Sequence, residues 1–188
     1  MKNHLENKQL FKKSKKVHQA TPYTNTKKLV MGSVLAAITT LFQAAGVFTG
    51  IGFAFSILAT LPIVLSAMLS LRIGFMSYFI TILLLVIMQP SELFVFPFTT
   101  GLLGIALGAA FKFYHHWLLI TFFGGAALSI GILFLLYVLK FPVLGPDVSY
   151  TIDLKIVVII LICSIIYSFV WTGLSKRVFK LIFPMEKK

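Results

Sequence analysis

This sequence predicts an all-α integral membrane protein, a bundle of six transmembrane helices with both termini cytoplasmic. Three observations predict it. Hydrophobic residues make up 59% of the 188 residues and charged residues 12%, where soluble domains carry about 25% charged residues. Six apolar segments follow one another from residue 28, each long enough or nearly long enough for a bilayer that needs about 20 residues at a rise of about 1.5 Å each. The connections between them alternate between basic and non-basic, as topology signals do.

The segments are read in order as 28–48, 53–71, 73–88, 93–113, 117–141 and 154–174. Pro62 should kink or break the second, and Pro97 lies in the fourth, since proline removes a helical N–H and clashes with the preceding turn. Arg72 divides the second from the third. Residues 142–153, PVLGPDVSYTID, form the last polar connection.

The net charge of +12 is unevenly placed. Residues 1–28 carry eight lysines against Glu6, or +7. Residues 1–27 are therefore expected to be a basic cytoplasmic segment, 28–178 the membrane domain and 179–188 a basic cytoplasmic tail. The lead lacks the pattern of a secretory signal and is suited to anionic headgroups rather than nucleic acid. Arg72 and Lys112 fall in the second and fourth connections, while the first and third carry no Lys or Arg. An even number of spans with basic ends inside accounts for every short connection.

Catalytic signatures are missing. There is no HExxH, no G-x-S-G, no pair of carboxylates within a span and no G-x-x-x-x-G-K-[ST] phosphate loop, so no enzyme, cofactor or metal is expected. Cys163 is the single cysteine, which leaves no disulfide. His115 and His116 are adjacent, and neighbours in a helix point in different directions, so they make a poor metal clamp.

Polar groups collect instead at the ends opposite the basic connections. Gln43 lies near the end of the first segment, Gln89 and Glu92 between the third and fourth, and Tyr137 near the end of the fifth. Polar side chains are costly at membrane depth and mark binding sites when they face the bundle interior. With Phe53 and Phe96 as apolar walls, these residues make a candidate small-molecule site. Taken singly, Glu92 reads first as an ordinary solvated loop residue, and the aromatics read also as interfacial anchors.

The first segment has a second feature. Gly32, Ser33, Ala36, Ala37 and Thr40 recur at spacings of three and four, which places small side chains along one stretch of helix surface. In lipid, small residues let helices approach closely. Such a stripe either packs within the chain or docks on a partner subunit.

At these residues the chain resembles the substrate-binding S components of energy-coupling factor (ECF) transporters. The likeness rests on the small size and six spans, on the basic lead into TKKLVMGSVLAAIT, on the small residues of the first helix, and on LPIVLSAMLSLRIGF at the second-to-third junction; the glycine-proline pair usual after it is absent. The resemblance implies capture of a vitamin or related micronutrient from outside. It also implies a transmembrane coupling subunit and ATPase subunits as partners, with Gly32, Ser33, Ala36 and Ala37 as docking positions. Two other readings stand beside it. One is a structural or regulatory membrane protein that binds protein partners and transports nothing. The other, an autonomous ion-coupled carrier, would call for internal repeats and broken helices.

Overall fold

The computed structural model describes residues 23–47, 51–141 and 153–183. Among them are eight α-helices and no strand, arranged as six rods. α1 (Asn25–Ala44) ends in a 3-10 turn, Ala45–Val47. α2 (Ile51–Leu58) and α3 (Thr60–Leu69) make the second rod, and α4 (Leu71–Met88) the third. α5 (Glu92–Phe98) and α6 (Thr100–Phe113) make the fourth. α7 (Trp117–Leu133) continues into a π-helical turn, Phe134–Val138, and α8 (Leu154–Ile182) closes the bundle.

The breaks within rods follow from proline. Pro62 lies in the first turn of α3 and has no N–H to offer the Leu58 carbonyl, so the second rod is divided at Ala59. Pro97 ends α5 one residue later, and Thr99 turns sharply (φ −117°, ψ −98°) before α6 begins. The second and third rods separate at Ser70, in extended conformation, and Arg72 belongs to the first turn of α4. α7 stops where Lys140 takes a left-handed φ of 51° and the Phe141 N–H returns to the Leu135 carbonyl at 2.9 Å.

Among the described residues, four rods are long and apolar enough to cross a membrane: Leu71–Met88, Glu92–Phe113, Trp117–Val138 and Leu154–Ile182. The expectation of six is met only by these four on length and composition. α1 includes Lys27, Lys28 and Gln43, and the apolar helix of the second rod, Phe55–Leu69, is shorter. Large apolar side chains such as Ile87, Leu118 and Leu154 project from the bundle. Large apolar side chains exposed in such number are a liability in water and are at home against lipid chains.

α3 sits at the centre, with eight of its ten residues buried. One core cluster joins Val64, Leu103, Leu107, Leu128 and Trp171; another joins Ile63, Ala67, Leu85, Phe96 and Ile105. Glycines allow the closest approaches. A Cβ on Gly108 would meet the Cβ of Ala67 and lie 3.2 Å from its Cα, so α3 and α6 touch nearly backbone to backbone. α1 runs beside α4 in the same direction, and Ser77 Oγ donates to the Gly32 carbonyl at 2.9 Å. α7 and α8 run antiparallel, with Ser168 Oγ donating to the Thr121 carbonyl at 2.8 Å.

Candidate functional site

The half of the bundle that holds the end of α1, the start of α6 and the start of α8 contains a cavity of about 520 Å³. Isoleucine is its commonest wall residue: Ile57 of α2, Ile132 of α7, and Ile156, Ile159 and Ile160 of α8. Four hydroxyl side chains interrupt them. Thr99 and Thr100 are presented by the break between α5 and α6, and Ser164 and Tyr167 by α8.

Thr100 connects the cavity to a partly buried polar relay. Its hydroxyl donates to Gln43 Oε1 at 3.0 Å, and Gln43 Nε2 donates to Glu92 Oε2 at 2.8 Å. Gln43 is only 1% exposed. The order is dictated by chemistry. A glutamine amide donates only through its nitrogen and accepts only through its oxygen, so with the NH₂ given to Glu92 the oxygen is left to Thr100. The Thr100 proton is thereby committed to Gln43, which leaves its lone pairs as acceptors for another group.

The other hydroxyls differ. Tyr167 is anchored: its Oη donates to the Ile57 carbonyl at 3.2 Å and lies 3.3 Å from Thr60 Oγ1. Ser164, 2% exposed, has no hydrogen-bond partner for its Oγ. A buried hydroxyl without a partner costs free energy, and such groups are rare in folded proteins.

Of the residues expected to form the site, the structure joins Gln43 and Glu92, 49 positions apart in sequence. Gln89 turns away and donates to Ser91 Oγ at 2.7 Å. Phe96 is fully buried against Tyr78 in the core, because it occupies the inner face of a short helix pressed on α6. Tyr137 has a buried hydroxyl without a partner in the π-helical turn, but it does not line the cavity. Phe53 falls within α2, and its side chain lies outside the described residues. Thr100 and Ser164 were missed by sequence reasoning. A signal existed for Ser164: with Ser168, Thr172 and Ser175 it recurs at spacings of four, four and three, one stripe of α8.

The small-residue stripe of α1 is divided. Gly32 and Ala36 are buried against α4, where a Cβ on Gly32 would meet the Ile73 side chain and Thr81 Oγ1 donates to the Ala36 carbonyl at 3.3 Å. Ser33 and Ala37 remain exposed, and the Ser33 hydroxyl donates back to the Leu29 carbonyl at 3.1 Å.

Comparison of the chain with protein-family models, curated proteins and solved structures finds no match. The class is therefore defined by its own features. Among the described residues it is all-helical, with four helices able to cross a membrane, compatible with a multi-pass membrane protein.

Proposed function

We propose that this chain is a six-span membrane protein, both termini cytoplasmic, that captures a small molecule and delivers it to an ATP-driven importer of the ECF type. The observation that carries the reading is the cavity. Its volume of about 520 Å³ falls in the range of roughly 300–1,000 Å³ typical of small-molecule sites. It lies at the end of the bundle opposite Lys28, Arg72 and Lys112. With the basic end in the cytoplasm, the cavity lies in the outer half of the membrane.

Its chemistry narrows the ligand to a mainly apolar molecule of vitamin size. A donor N–H or O–H would meet Thr100, and a further polar group would satisfy Ser164. Gln43 and Glu92 act as positioning residues behind Thr100. The role is binding without bond chemistry, and energy would come from ATPase subunits through a transmembrane coupling subunit. Ser33 and Ala37, exposed beside Val30, Val34 and Leu41, are the α1 positions left for that partner. The same exposed residues favour the second reading, a non-transporting protein that binds protein partners.

The test is to purify the chain from its membrane and identify by mass spectrometry any small molecule it retains. Cys163, the only cysteine, is exposed and lines the cavity, so the ligand should slow its reaction with a maleimide. Ile156→Trp, which fills the cavity, should abolish retention. Equal retention by Ile156→Trp and Thr100→Val would place the site elsewhere, and no retained molecule with intact partner binding would favour the second reading.

A further inference from the structure

We propose that the opposite end of the bundle holds a second site, for the phosphate of an anionic phospholipid headgroup. There a cavity of about 520 Å³ opens between the starts of α1 and α4 and the end of α6. Lys28, Arg72 and Lys112 line it, with Asn25 and Ser70 as hydrogen-bonding neighbours, and no carboxylate is in its lining. These cations come from three separate rods, so only the fold assembles them.

Backbone adds to the positive field. The cavity is lined by first-turn residues of both α1 and α4, helices of 20 and 18 residues. Neither helix has a side-chain N-cap bond or an acidic residue in its first turn. The positive ends of two helix dipoles, with first-turn N–H groups that lack a side-chain cap, therefore lie beside the space the cations line. Together these groups suit a compact anion bearing several acceptor oxygens, which describes phosphate.

The surroundings favour a lipid over a free phosphate. Leu29 and Met76 also line the cavity and are 50% and 47% exposed. They give it an apolar margin along α1 and α4, where acyl chains would run. α4 is one of the helices able to cross a membrane and begins at this level, which sets the cavity at headgroup depth. Arg72 can clamp two phosphate oxygens with its planar fork, while the lysines act as point charges.

The full chain, purified in neutral detergent, would be titrated separately with dioctanoyl phosphatidylglycerol, dioctanoyl phosphatidylcholine and inorganic phosphate. Bound molecules would be counted by native mass spectrometry. One phosphatidylglycerol should bind saturably, well ahead of the other two probes. Arg72→Gln/Lys112→Gln should weaken it about 30-fold, from about a fivefold contribution per cation. The charge-matched Lys140→Gln/Lys155→Gln, exposed at the opposite end of the bundle, should bind as the native chain does. Circular dichroism of each variant checks folding; should the first pair unfold, Lys112→Gln alone should show about a fivefold loss. Equal losses in the two charge-matched variants, or none in the first, would overturn the site. Inorganic phosphate binding as tightly as the lipid would overturn the lipid assignment.

Discussion

Two cavities of equal volume, about 520 Å³ each, occupy opposite ends of this bundle and have opposite chemistry. One is walled by isoleucine and carries a relay ending in a carboxylate. The other is lined by three cations and two helix starts. Between them, α3 and α6 pack through Gly104 and Gly108 with backbones nearly touching. Cavities in this fold therefore lie where helices are broken or begin, and the centre is dense. Proline and helix ends open space; glycine closes it.

The comparison can be broken most severely at the shared centre. Gly108→Ala puts a methyl against the Ala67 backbone, which cannot move aside as a side-chain tip can. Overpacking of this kind typically costs about 1–3 kcal/mol, and the upper end is expected here. The loss should appear in thermal unfolding and should disturb both cavities together. A variant that melts like the native chain would show that the seam is looser than described.

Next in size is the relay. Glu92→Ala leaves the Gln43 amide buried without its acceptor, at a cost of about 1–3 kcal/mol. Glu92→Gln keeps an oxygen but no charge and should cost less, about 1 kcal/mol. Both should act on ligand retention at the apolar cavity and leave phosphatidylglycerol binding at the basic end unchanged. Equal damage at both ends would mean that the cavities are coupled.

A smaller pair sharpens the contrast between filled and unfilled polar positions on α8. Ser168→Ala deletes a donor to the Thr121 carbonyl and should destabilise by about 1 kcal/mol. Ser164→Ala removes a hydroxyl without a partner and should be neutral or stabilising in the free protein, while weakening ligand binding. Matching denaturation shifts for the two would refute the distinction.

The smallest effect on stability is expected outside the cavities, on α1. Ala37→Leu adds to an exposed face and should change stability by no more than about 0.5 kcal/mol. Any consequence should be confined to co-purification with a partner subunit. Ala36→Leu, on the fully buried side, should lose folding and ligand binding together. If Ala37→Leu also unfolds the chain, the outward half of the stripe is structural.

Much of this architecture was legible from the chain alone. Six apolar segments appear as six rods because an apolar run of that length must satisfy its backbone internally, and a helix does so locally. Their limits moved by a few residues, mostly at ends: α1 begins at Asn25 and α8 continues through Lys176, Arg177 and Lys180 to Ile182. The polar character of Gln43 and Glu92 was visible too. Their hydrogen bond was not, because a periodic pattern assigns a residue to a helix face without naming the neighbour.

What only the tertiary structure decided follows from that limit. Gly32 and Ser33 are equally small, yet one is pressed on α4 and the other exposed, since rotation about a helix axis is set by the packing partners. Phe96 reads in sequence as a wall of a pocket and is core, because its short helix packs it against Tyr78, Ile63 and Leu85. The linings of the two cavities could not be read. A void is space that side chains from three or four helices fail to fill, and no single segment contains that information. The sequence alone determined which parts become helices and which ends carry charge, through local hydrogen bonding and solvation. The tertiary structure decided which side chains meet, because that depends on packing geometry between segments distant in the chain.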